Sequence, residues 1–172
     1  MRFKKISILV MAVAFLFPNL AKADDVFLDN NAISEFSDAN SSIVISEYNT
    51  GKIISKRGEN EKVSVNKLPN YLALYLLTDD LKNKKISLDD KITINKGDDV
   101  LSKYQITKEL TVKDAIFLLE NENSSSLLEA IFTKYNVDVE KANSILGAMS
   151  LNNTKLENLE NSDSNTSSAK DI

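Results

Sequence analysis

Residues 68–81 (LPNYLALYLLTDDL) form the most apolar stretch between the N-terminal leader and the end of the chain. Thr78 is their one β-branched residue, and the run is too long for an ordinary strand. Leu, Ala and Tyr recur without a polar face, so the segment predicts a largely buried helix. A helix that is apolar all round needs neighbours on several sides, and the rest of the chain must supply them. Pro69 stands where a first helical position is expected, so the helix is predicted to begin near Leu68 or Pro69.

The flanking segments supply candidates. Residues 41–46 (SSIVIS) and 52–56 (KIISK) are short β-rich runs around Asn49-Thr50-Gly51, which predicts a β-hairpin. Residues 91–95 (KITIN) alternate like a strand. Thr111, with Asp114 three positions later, predicts the cap of a helix over 112–119. Ser124, Ser125 or Ser126 would cap a helix over 127–135. Asp138 would cap another, with Ala142, Ile145, Leu146 and Met149 as its apolar stripe. The end, residues 161–172 (NSDSNTSSAKDI), is polar enough to be called disordered on composition. There is no internal repeat and no Gly-rich phosphate loop.

Composition narrows the chemistry. The 172 residues contain no His, Cys or Trp. That excludes a Ser-His-Asp triad, a thiol nucleophile, a disulfide frame and a thiolate metal site. Nucleophilic catalysis would have to use Ser, Thr, Tyr, Asp, Glu or Lys with a Lys or carboxylate base. No cofactor or metal site is expected.

Arg2, Lys4 and Lys5 precede an apolar run over residues 6–17, and Ala21-Lys22-Ala23 offers a small-x-small cleavage site. This is the pattern of a secretory signal peptide over residues 1–23, a retained N-terminal anchor being the rival reading. Its removal takes 21 basic side chains to 17 against 25 acids, and the net charge from −4 to −8. With no basic patch, nucleic acid is not an expected partner, and the membrane is met only during export. The expected organisation is a signal peptide (1–23), a polar leader (24–40), one partial domain (41–160) and a polar tail (161–172).

The order of hairpin (SSIVISEYNTGKIISKRGENEK), buried helix, LDDKITI and LTVKDAIFLL resembles the N-terminal half of the D-alanyl-D-alanine carboxypeptidases, the low-molecular-mass penicillin-binding serine peptidases. Leu151-Asn152-Asn153-Thr154 looks like the family's x-x-N-T step, and NTSSAKDI is similar to its S-T-A-x-D-L helix start. The resemblance covers residues 41–172 and implies an α/β, penicillin-binding/β-lactamase-like transpeptidase fold. That fold would be truncated to an N-terminal β-hairpin and a helical subdomain. A sheet reduced to the hairpin would leave an open apolar edge.

The resemblance also implies an exported protein of a bacterial periplasm or cell envelope, acting on peptidoglycan stem peptides if active. The family's mechanism uses a Ser nucleophile at a helix start and a Lys base one turn on (S-x-x-K). A second motif, S-x-N, lies in the helical subdomain, and a third, K-[ST]-G, on a later strand.

A literal S-x-x-K occurs at Ser64-Val65-Asn66-Lys67, making Ser64 the candidate nucleophile and Lys67 the candidate base. Gapless pairing from Glu61-Lys62 to Asp89-Asp90 instead puts Lys67-Leu68-Pro69-Asn70 on those positions. A helix starting at Ser64 would carry Pro69 in its second turn, unable to donate to the Val65 carbonyl, at a cost of roughly 3 kcal/mol. In place of S-x-N the chain reads Glu122-Asn123-Ser124-Ser125, pairing Glu122 with Ser124 or Asn123 with Ser125. A helix-capping role suits that serine cluster better. No K-[ST]-G follows.

Three functions stay open. The chain would be a divergent Ser-Lys carboxypeptidase, a truncated inactive relative, or a non-catalytic envelope binding protein built on the helical subdomain.

Overall fold

The structure is a computed structural model that describes residues 42–172. The signal-peptide and leader readings, residues 1–40, lie outside the described residues. The chain divides after Arg57 into two units.

The described part of the first unit is an antiparallel hairpin of β1 (Ile43–Ser46) and β2 (Ile53–Arg57). Ile43 pairs with Arg57 and Ile45 with Ser55, and a bulge shifts the register so that Ser46 meets Ile53. The predicted Asn-Thr-Gly turn closes it. Glu47 organises that turn: its carboxylate accepts from the Asn49 and Thr50 amides at 2.9 and 2.7 Å and from the Thr50 hydroxyl. Gly51 takes φ +68°, a conformation that costs a residue without a Cβ nothing.

The second unit, residues 58–172, is helical with two small two-stranded sheets. Its elements are β3 (Val63–Ser64), α1 (Leu68–Lys82), β4 (Lys91–Thr93), α2 (Asp99–Lys103), β5 (Glu109–Thr111), α3 (Val112–Asn121), α4 (Ser125–Lys134), α5 (Val139–Ala148) and β6 (Thr166–Ser167). β4 pairs with β5, setting buried Ile92 opposite buried Leu110. β3 pairs with β6, and Lys155 bridges to Thr166.

The apolar run becomes α1, which starts at Leu68 with Pro69 in its first turn. It buries Leu68, Leu72, Ala73 and Leu77 in a single core with Ala115, Leu118 and Leu119 of α3 and Leu127, Leu128 and Ile131 of α4. Burying a Leu of this kind contributes about 1.5–3 kcal/mol. Tyr71 and Tyr75 emerge on the other face, 53% and 39% exposed.

The predicted caps form. Thr111, Ser124 and Asp138 accept from the amides of Asp114, Leu127 and Lys141, three residues on in each case. β5 and α2 were not anticipated, because each is shorter than a periodic pattern can reveal. Four helices end alike, in Schellman turns. After α1, α2, α4 and α5 the residues Lys84, Gln105, Asn136 and Ser150 take φ between +50° and +65°. The next amide in each case bonds back to the helix, as Lys85 N–H does to Asp80 O at 2.9 Å and Leu151 N–H to Leu146 O at 3.1 Å.

The polar end differs from its compositional reading. Asn165, Ser167 and Ser168 are fully buried. The Asn165 carboxamide accepts from the Glu157 amide at 2.9 Å and donates to the Glu160 carbonyl at 2.9 Å. Asp171 accepts from the Asn153 amide at 2.7 Å and the Thr154 hydroxyl at 2.9 Å, so the x-x-N-T step and the terminal segment interlock. Burying polar side chains requires partners, and those of Asn165, Ser167 and Asp171 lie 5–18 residues away, while the Ser168 hydroxyl has none among the described residues. Residues 168–172 make one helical turn, with the Ile172 amide donating to the Ser168 carbonyl.

Candidate functional site

The start of α1 is where the candidate pair Ser64 and Lys67 falls, with Pro69 arguing for a helix that begins only after them. Ser64 lies in β3, paired with Thr166, while Lys67 is the N-cap of α1. Between them the chain leaves the strand: the Val65 amide donates to Asn165 O at 2.8 Å and the Leu68 amide to Val65 O at 3.2 Å. Ser64 and Lys67 therefore do not occupy one face of a helix. The residues one helical turn apart at this end of α1 are Lys67 and Asn70.

Asn70 is 1% exposed. Its carboxamide nitrogen donates to the Leu119 carbonyl at 2.7 Å and the Glu122 carbonyl at 3.1 Å, satisfying acceptors that the end of α3 leaves without helical partners. Its oxygen has no partner. The first turn of α1 thus meets the 122–124 segment through an amide, which neither gives up nor takes a proton at ordinary pH.

Glu122, the C-cap of α3, turns its carboxylate to the end of α2. One oxygen accepts from Lys103 Nζ at 2.6 Å and from the Tyr104 hydroxyl at 2.8 Å. The Lys103 bond first, then Tyr104, holds the Glu122 carboxyl below its usual value, and the charge on Lys67 adds to this. The same contact raises Lys103. Tyr104 rests edge-on against Phe117, with ring centroids 6.1 Å apart. Neither Lys103 nor Tyr104 was singled out in the sequence, since nothing local links them to position 122.

Ser124 is committed twice. It accepts from the Leu127 amide at 3.1 Å and donates to Asp98 at 2.7 Å. Asp98 also accepts from the Leu101 amide at 2.9 Å, capping α2, and from the Ser126 amide at 3.1 Å. Burial pushes the Asp98 carboxyl up, but the bonds from Leu101, Ser124 and Ser126 outweigh it and hold the group below its usual value. Asp98 is thus the pin that positions the 122–124 segment. Asn123 is reached from the 160–163 loop, where the Asn161 amide group donates to it at 3.2 Å.

The amides opening α1 offer little to an anion. Leu68 donates to Val65 O, Asn70 and Tyr71 donate to Lys67 O, and Pro69 has no N–H. A cavity of about 580 Å³ lies elsewhere, between α4 and the 159–160 loop, and involves none of Ser64, Lys67, Asn70 or Glu122. It borders the second-motif segment through Asp98, Ser125 and Ser126, but the start of α1, with Lys67 and Asn70, is not part of its lining. Among the described residues, no group of three or more carboxylates is placed to hold a metal ion.

Known structures share this fold. The D-alanyl-D-alanine carboxypeptidase DacD from Francisella tularensis is similar with a TM-score of 0.63 at 17% identity, over 90% of this chain and 39% of that one. Penicillin-binding protein 6B from Escherichia coli has a TM-score of 0.61 at 20% identity, over 76% and 46%. A β-lactamase from Chitinophaga pinensis has a TM-score of 0.61 at 14% identity, over 82% and 57%. These likenesses establish the penicillin-binding/β-lactamase-like fold, of which the chain spans about two fifths to three fifths. No curated protein matches the sequence. The family profile for D-alanyl-D-alanine carboxypeptidases matches residues 29–172, most of the chain. On that extent of match, joined to the shared fold, the protein belongs to the D-alanyl-D-alanine carboxypeptidase family.

Proposed function

We propose that this chain is an exported envelope member of the carboxypeptidase family that engages peptidoglycan stem peptides without forming an acyl-enzyme. The observation that carries the reading is Asn70: the residue one turn into α1 is a buried amide bonded to Leu119 O and Glu122 O. A Ser-Lys mechanism needs a hydroxyl nucleophile and an amine that can accept its proton. In the gapless register those two positions hold Lys67 and Asn70. Glu122, at the first position of the second motif, is already bonded to Lys103 and Tyr104. The export reading rests on the three-part N-terminal pattern, with cleavage after Ala23.

Fluorescent penicillin tests the proposal. The purified protein is expected to carry no covalent label while being retained by isolated peptidoglycan. A covalent adduct lost in Ser64→Ala would overturn it in favour of Ser64 as nucleophile and Lys67 as base. An adduct that survives Ser64→Ala would overturn both assignments. Failure to co-sediment with peptidoglycan would remove the stem-peptide part of the reading. N-terminal sequencing of the mature protein checks the cleavage after Ala23.

A further inference from the structure

We draw no further inference here: the strongest candidate, the apolar groove of about 440 Å³ along the outer face of α1, where Tyr71 and Tyr75 meet Met149, Leu151 and Ile172, is an unpartnered face and nothing in the structure shows what covers it.

Discussion

The Asp98 carboxylate accepts the Ser124 hydroxyl at 2.7 Å, joining the start of α2 to the start of α4 across 26 residues of sequence. With the Leu101 and Ser126 amides it closes a three-donor cage. Hydrogen bonds to a charged acceptor contribute about 1.5–3 kcal/mol each where they are well buried, and less where water competes.

Asp98→Ala is therefore expected to lower stability by about 2–3 kcal/mol, read as a drop in urea midpoint at pH 7 with the slope unchanged. Asp98→Asn should cost less, because one acceptor survives. The folded Asp98 carboxyl lies below its ordinary value of 3.8, so its contribution is fully present above that value. It is lost as pH falls through the folded value, and the gap between wild type and Asp98→Asn should close there. Equal midpoints at pH 7 would remove Asp98 as the pin.

Asn70 makes a second long-range link, and its loss has a different signature. Asn70→Leu fills the space but leaves the Leu119 and Glu122 carbonyls without their donor, at a cost of about 1–3 kcal/mol. Hydrogen exchange should quicken at the end of α3 and in the 122–124 segment more than in α5. Uniform acceleration would point to a global loss of packing instead.

The hairpin turn depends on an ionised Glu47. Bonds from the Thr50 hydroxyl first, then from the Asn49 and Thr50 amides, hold its pKa down to about 2 from 4.5. A lowered carboxylate value means that the turn is fully supported above pH 4.5 and loses that support as pH falls through about 2. Carboxyl chemical shifts should place the Glu47 midpoint near that lower value. Glu47→Gln should make the Asn49 and Thr50 amide shifts insensitive to pH across the same window. A Glu47 midpoint at 4.5 would contradict the turn geometry.

The four left-handed helix ends are strained positions occupied by Lys, Gln, Asn and Ser. A left-handed residue with a Cβ costs roughly 1–2 kcal/mol, and glycine gives part of that back as unfolded-state entropy. Ser150→Gly is expected to stabilise the protein by about 0.5–1 kcal/mol, seen as a higher midpoint in urea. Asn136→Gly should gain less, since Asn tolerates this conformation better than Ser. A destabilised Ser150→Gly would show that the side chain contributes something the turn geometry does not capture.

What could be read without coordinates was local. Pro69 set the start of α1, because a missing N–H is harmless only in the first turn. Thr111, Asp138 and the Ser124–Ser126 cluster announced their helices through a bond three residues long, and the structure selects Ser124 from the cluster. The Asn-Thr-Gly turn announced the hairpin. The family was legible through resemblance, carried by the order of the hairpin, LDDKITI and LTVKDAIFLL segments.

The site was less legible. The literal Ser64-Lys67 spacing is a helical spacing, yet the chain is a strand at Ser64 and a helix only after Lys67. Asn70 attracted notice only through alignment. Its partners stand 49 and 52 residues away and leave no periodic trace. Lys103 and Tyr104 gained meaning only when folding brought them to Glu122.

The polar end makes the same division. Composition argued for disorder because polar residues cannot build a core by burying apolar surface. Only the folded chain supplies what Asn165 and Asp171 need, which is hydrogen-bond partners in the 153–160 segment. By itself the sequence determined the hairpin, α1 and the capped helices, because those signals are short-range, and its motifs in order carried the family resemblance. Tertiary structure decided which polar groups meet at the start of α1, because a hydrogen bond between distant residues exists only once the core has brought them together.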